Sequence, residues 1–210
     1  INFYMNREWL VAKAEELNYE LEFKNRLREA GKGKTVIVDY SAPNIAKPFG
    51  IGHLRSTDIG QAIYNLYKIL GWECIGDNHL GDWGTQFGKL IVAIKKWGSA
   101  KQNIDNLTIV DLEKLYVKFH EEAEKDESLV EEARDWFSKL EDKDEEATAI
   151  WQKLVKLSLR EYQTTYQLLG VKIDQALGES FYQDKMEAVV EELGKKKLIK
   201  KSQGAEIVEF

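Results

Sequence analysis

The segment Val36-Ile37-Val38-Asp39-Tyr40-Ser41-Ala42-Pro43-Asn44-Ile45-Ala46-Lys47-Pro48-Phe49-Gly50-Ile51-Gly52-His53 decides the fold. A β-branched apolar run enters a polar loop that holds both of the chain's prolines, Pro43 and Pro48. A glycine-bearing turn follows, then a helical pattern that closes at Gly71. In α/β folds a buried strand feeding such a turn holds anionic phosphates, because free N–H groups and the positive helix end point at the ligand. Spacing excludes two common phosphate loops. The dinucleotide pattern G-x-G-x-x-G begins at Gly50 and Gly52 but meets Arg55 at its third glycine. The pattern G-x-x-x-x-G-K-[ST] fails at Gly33-Lys34-Thr35, where Arg28 replaces the first glycine, and at Gly88-Lys89, where Leu90 follows.

Outward from this stretch, the pattern predicts a strand over Thr35–Tyr40, a helix over Ile51–Leu70 and a second strand over Trp72–Gly76. Leu54, Ile59, Ile63, Leu66 and Leu70 are the expected buried stripe of that helix. The three elements form a βαβ unit with a right-handed crossover, and ligands of such sheets sit beyond the carboxyl ends of the strands. Asp39–Asn44 and Asp77–Asp82 both fall there and are expected to face each other across one crevice. Before the unit, Asn6–Gly31 reads as one amphipathic packing helix, with Leu10, Val11, Ala14, Leu17, Leu21 and Phe23 inward. After it, Trp83–Trp97 reads as a helix that buries Phe87, Leu90, Ile91 and Ile94, and Gly98–Asn106 reads as a loop. Helices are expected over Thr108–Lys125, Ser128–Leu140 and Lys143–Leu169, highly charged, with Trp136, Leu140, Trp151, Leu154 and Leu157 as anchors. Gly170–Asp174 alternates like a strand, a helix follows near Asp184–Gly194, and the lysines from Lys195 to Lys201 read as a solvated helix end and turn.

Composition bounds the function. The chain has 210 residues, 43% of them hydrophobic, and six tryptophans, enough for a packed core. A net charge of −6 excludes a basic surface over the whole chain, although a local patch is compatible with it. Cys74, the single cysteine, permits no intrachain disulfide and leaves a zinc site or other protein-bound metal unexpected. No apolar run approaches the roughly 18 residues of a membrane span. The start, Ile1 to Leu10, has neither a signal-peptide pattern nor an initiator methionine, so a cytoplasmic chain cut from a longer one is expected.

The Gly50-Ile51-Gly52-His53 signature resembles the HIGH motif of class I aminoacyl-tRNA synthetases. The flanking Ser41–Pro48 and His53-Leu54-Arg55-Ser56-Thr57 are similar to arginyl-tRNA synthetases in particular. So is Asn78-His79-Leu80-Gly81-Asp82-Trp83-Gly84-Thr85-Gln86-Phe87-Gly88, with a weaker third block at Leu177–Tyr182. The resemblance spans nearly the whole chain. It implies an α/β fold: a Rossmann-like, parallel-sheet class I synthetase catalytic core with a mostly helical insertion. On that reading residues 1–33 connect from a further N-terminal domain and 34–100 form the HIGH-half catalytic region. Residues 101–169 are the insertion, and 170–210 return toward the core and stop inside it, since nothing resembles the KMSK loop. The implied activity is ATP-dependent activation of L-arginine and its transfer to tRNA(Arg), with Mg2+ accompanying ATP, in a monomer that binds neither DNA nor membrane. Two alternatives stand beside it: a noncatalytic nucleotide-binding or interaction fragment, and a small-molecule nucleotidyltransferase of the same superfamily.

Activation joins a carboxylate to the α-phosphorus of ATP, so catalysis is mainly positioning and charge neutralisation. His53, in the first helical turn, can donate to a phosphate oxygen, and by resemblance also borders the arginine. Gly52 admits the nucleotide against the backbone. Gly50 stands where the family carries the first histidine. Losing one donor of this kind costs about 2.7–4 kcal/mol. Lys47 is the expected compensator, a point charge for the phosphates; its bland reading is a surface lysine. Together Lys47, Gly50, Gly52 and His53 make the ATP side. On the arginine side Asn44 offers an amide, or simply forms a turn after proline, and Ala42 and Pro43 offer carbonyls. Asp39 suits a guanidinium, or pairs with Arg55. The second wall is Asn78, Asp82, Trp83 and Gln86, with Asp82 alternatively a helix N-cap. His79 stands beside that wall without a required acid–base task, and His120 reads as a surface residue.

Overall fold

A computed structural model describes residues 4–17, 20–98 and 104–209; for 16, 17, 20–23 and 105 it describes the backbone alone. The chain divides into two compact units, each assembled from separate segments. The first comprises residues 1–43, 48–79 and 159–176; the second comprises 44–47, 80–158 and 177–210.

In the first unit, β1 (Thr35–Asp39) and β2 (Glu73–Asp77) pair in parallel, Val36 with Cys74 and Asp39 with Asp77. The helix α3 (Ile51–Ile69) connects them; α1 (Arg7–Leu17) and α2 (Glu20–Glu29) precede. The stretch expected as one helix over Asn6–Gly31 is helical on both sides of positions 18 and 19. Asn18 and Tyr19, between them, lie outside the described residues, as do the side chains of Leu17, Leu21 and Phe23. Leu10 and Val11 are exposed rather than packed. Gly71, with φ 84°, ends α3 as a left-handed cap: its N–H donates to Lys68 O and that of Trp72 to Tyr67 O.

The buried stripe of α3 is not the expected one. Thr57, Gly60, Gln61 and Tyr64 face inward, while Ile59, Ile63 and Leu66 are 55%, 40% and 61% exposed. Fit decides the choice of face. A side chain at position 60 would overlap the Tyr40 Cβ, so only glycine lets the helix close on β1. Gln61 Oε1 then accepts from Lys172 N–H (2.6 Å) and from the Tyr40 hydroxyl (3.1 Å), which also reaches the Lys172 carbonyl. Val38, Tyr40 and Tyr64 form the core, with Val36, Cys74, Val171 and Ile173 packed around it. The alternation at Gly170–Asp174 yields no strand. Beside β2 there is only an isolated bridge between Asp77 and Gln175, with Asp174 and Gln175 N–H both on Gly76 O.

The second unit is mostly helical: α4 (Gln86–Trp97), α5 (Ile109–Ala123), α6 (Ser128–Glu141) and the first part of α7 (Glu145–Leu169). These match the expected charged helices within a few residues. The Thr108–Asp111 capping box fixes the start of α5, and Trp136, Leu140, Leu154 and Leu157 are buried as anchors. Helix α4 begins three residues later than expected because Gly84 is left-handed, at φ 127°. Of the loop expected over Gly98–Asn106, residues 99–103 lie outside the described residues and Ile104–Asn106 is a 3-10 turn. A 3-10 turn over Glu179–Lys185 leads into α8 (Met186–Lys195). The lysine-rich end is a helix end followed by an antiparallel hairpin of β3 (Ile199–Ser202) and β4 (Ala205–Val208), in place of the expected plain turn.

Candidate functional site

In the first unit the loop from β1 to α3 leaves the strand in a conformation that L-residues seldom adopt. Ser41 and Ala42 are both left-handed, at φ 76° and 47°. Each such residue costs roughly 1–2 kcal/mol, so something must hold it. A buried network does. Asn78 Oδ1 accepts from Ala42 N–H (3.0 Å), Asn78 Nδ2 donates to the Tyr166 hydroxyl (3.0 Å), and that hydroxyl bonds Ser41 Oγ (2.7 Å). Ser41, Asn78 and Tyr166 are 3%, 1% and 4% exposed, which leaves no room for water to substitute. Asn78, expected in the wall, is thus a support for the loop with both ends of its amide engaged. Burial raises the Tyr166 pKa, so the hydroxyl stays neutral and able to bridge.

The start of α3 carries His53. Its Nδ1 accepts from Gly50 N–H (3.2 Å). In a neutral imidazole the proton then sits on Nε2, which is left as a donor. The ring lies 5.6 Å from Phe49, which meets Tyr162 at 6.1 Å and Tyr166 edge-on at 5.9 Å. One aromatic cluster therefore orients the histidine, and its tyrosine also braces the loop. Neither Gly50, at φ −89°, nor Gly52 is left-handed, and a Cβ at either would meet nothing within 4 Å. The fold itself does not require glycine there; the helix N-terminus is open to whatever approaches it.

Asp39 ends β1, exposed, and among the described residues Arg55 does not pair with it. Asp77, its in-register neighbour on β2, is 8% exposed, and its Oδ1 has no hydrogen-bond partner. The sequence places Asp77 at the start of the expected crevice segment Asp77–Asp82 but assigns it no role of its own. Pro43 is fully buried.

The remaining expected residues, apart from His79, belong to the second unit. Asn44 bridges to Gly81 in parallel, its side-chain oxygen against the glycine Cα, and Lys47 is exposed. Asp82 is no helix cap, since Thr85 occupies that place. Its carboxylate accepts from Ser180 N–H (2.8 Å) and Ser180 Oγ (2.7 Å), and its carbonyl accepts from Trp151 Nε1 (2.8 Å). This fastens the third sequence block to the second. Trp83 sits edge-on to Trp151 (5.7 Å) and Phe137 (5.8 Å), beside a cavity of about 450 Å³ that Lys143 and Asp184 also line. Gln86 Nε2 donates to Trp83 O (2.8 Å), which closes the turn before α4. His79 is half-buried, and His120 is exposed with its pKa lowered by partial burial of its ring and by Lys89.

Residues 16–210 match the family model for the catalytic domain of class I tRNA synthetases for arginine. The chain belongs to the arginyl-tRNA synthetase family. Against the arginine–tRNA ligase of Halothermothrix orenii it is 51% identical over its whole length, which is 37% of that protein. The crystal structure of the Plasmodium falciparum arginyl-tRNA synthetase superposes with a TM-score of 0.69 at 28% identity, covering 89% of this chain and 35% of that one. The Thermus thermophilus arginyl-tRNA synthetase shares the fold, with a TM-score of 0.60 at 21% identity over 87% of this chain and 31% of that one. The chain thus spans little more than a third of the relatives it matches. Within the arginyl-tRNA synthetase family it carries the HIGH-type signature with Gly50 in the first position.

Proposed function

We propose that the chain carries the adenylate-forming half-site of an arginine–tRNA ligase. ATP and L-arginine meet beyond the ends of β1 and β2. The arginine carboxylate attacks the α-phosphorus, and pyrophosphate leaves with the electrons of the broken P–O bond. The terminal adenosine of tRNA(Arg) then takes the arginyl group from the adenylate and AMP departs. His53 Nε2–H and the free N–H groups at the start of α3 receive the phosphate oxygens. Lys47 adds a point charge that offsets the histidine missing at position 50. Mg2+ enters as part of the ATP substrate; among the described residues no group of three or more His, Cys, Asp or Glu could hold a metal. Asp39 takes the guanidinium; the Ala42 and Pro43 carbonyls and the Asn44 amide take the amino-acid end. We read the working protein as a cytoplasmic monomer that acts on tRNA rather than DNA. Among the described residues no helix is long and apolar enough to cross a membrane.

The observation that carries this reading is the oriented His53 at a glycine-lined helix start in a chain 51% identical to an arginine–tRNA ligase. Calorimetric titration with nonhydrolysable arginyl-, lysyl- and glutamyl-adenylate analogues tests it. Selective arginyl binding, weakened at least tenfold by His53→Ala, is expected. Equal affinity for all three would refute it.

A further inference from the structure

We infer that Asp77 is a second carboxylate for the guanidinium of the substrate, acting with Asp39 to set arginine specificity. The inference rests on the reading that this site takes arginine, and it deepens that reading by one residue to which sequence analysis gave no role. Asp39 and Asp77 are partners in the β1–β2 register, so their side chains leave the same face of the sheet at its carboxyl edge, about 4.8 Å apart at the backbone. That edge is where parallel sheets receive ligands.

An acidic pair alone would mean little. The second observation is that Asp77 is more than nine-tenths buried and its Oδ1 has no hydrogen-bond partner, alone in this among buried side-chain nitrogens and oxygens of the described residues. Two other carboxylates of low exposure are served: the buried Asp82 by Ser180, and the more accessible Asp174 by Lys172 and Gly76 N–H. A buried oxygen without a donor is costly in the free protein, and a ligand cation removes that cost. Guanidinium suits the pair better than ammonium. Its planar fork offers five N–H donors along separate edges, so two adjacent carboxylates can each accept from one edge. Asp39, exposed, can swing to meet it, whereas Asp77 is fixed by its surroundings. A neutral ureido group of the same shape offers N–H donors without charge and brings an oxygen against a carboxylate.

The test titrates the 210-residue chain and its Asp77→Asn variant with a nonhydrolysable arginyl-adenylate analogue and with the citrullyl version, and records urea midpoints of both proteins. The wild-type chain is expected to prefer the arginyl compound at least tenfold. Asp77→Asn should weaken the arginyl compound tenfold or more, leave the citrullyl compound within twofold, and raise the urea midpoint, because an unpaired buried charge has gone. Asp77→Ser serves as a second variant should the amide disturb folding. Unchanged arginyl affinity in folded variants would overturn the inference and leave the proposed function standing. Equal loss of both compounds with a lowered midpoint would make Asp77 structural and overturn it as well. A folded wild-type chain that binds neither compound would remove the proposed function and this inference together.

Discussion

Tyr166→Phe removes one oxygen from the network that holds the strained loop and keeps the ring against Phe49. The hydroxyl bonds Ser41 Oγ at 2.7 Å and accepts from Asn78 Nδ2 at 3.0 Å, with all three residues buried. Two hydrogen bonds at about 0.5–1.5 kcal/mol each are lost, and an unpaired Asn78 N–H adds about 1–3 kcal/mol because water cannot reach it. Greater apolarity of the new ring returns part of this. The expected net loss is about 2–3 kcal/mol, read from urea unfolding followed by circular dichroism. A local signature should accompany it. The Ala42 amide, bonded to Asn78 Oδ1, should exchange with deuterium at least tenfold faster, since the amide that holds Ser41 and Ala42 left-handed has lost its brace. Ser41→Ala in a double-mutant cycle should couple to Tyr166→Phe by more than about 0.5 kcal/mol. A stability change under about 0.5 kcal/mol, the size of an ordinary surface substitution, with unaltered Ala42 exchange would refute the account of the loop.

Three further outcomes are expected. Gly60→Ala should destabilise by about 1–3 kcal/mol through overlap with Tyr40, whereas Gly52→Ala, which meets nothing within 4 Å, should leave unfolding unchanged or slightly improved while it weakens ATP binding. Stability should fall as pH rises from about 10 to about 12. Burial first, then the neighbouring Tyr64 and Asp174, push the Tyr40 pKa up to about 12, so the unfolded chain sheds this proton earlier than the folded one; Tyr40→Phe should flatten the alkaline slope of the urea midpoint. Asp82→Asn should cost about 1–3 kcal/mol, since the carboxylate accepts both Ser180 bonds, and the loss should be shared by Ser180→Ala in a non-additive way.

Local signals carried much of the fold. The apolar run at Val36–Val38 marks β1, Gly71 stops α3, and the helix expected over Thr108–Lys125 matches α5, each within a few residues of its observed place. The face of α3 was not legible. By hydrophobicity alone Ile59, Ile63 and Leu66 outrank Thr57, Gly60 and Gln61, but shape and hydrogen bonding at Tyr40 select the smaller, more polar stripe. For the site, the motif pointed to His53 and the glycines, and the structure adds how the ring is oriented. Tyr166 escaped notice because its partner Asn78 lies 88 residues away, and no spacing rule connects a helix residue to a loop at that distance. Asp77 escaped because its lack of a donor is visible only once the chain has folded around it.

The outward stripe of α3 has a spectroscopic consequence. Ile59, Ile63, Leu66 and Ile69 are 55%, 40%, 61% and 56% exposed, spread over a rise of about 15 Å along one helix. Hydrophobic dyes that brighten on apolar surface, such as anilinonaphthalene sulfonate, should stain the fully folded chain. That signal is ordinarily taken as the mark of a loosened core. Here near-ultraviolet dichroism from the packed Trp83–Trp151 pair and Trp136 should remain sharp while the dye is bound. Fluorescence and dichroism will thus disagree in the native state and converge only when the chain unfolds, so dye-based melting curves of this protein should begin bright and report the wrong baseline.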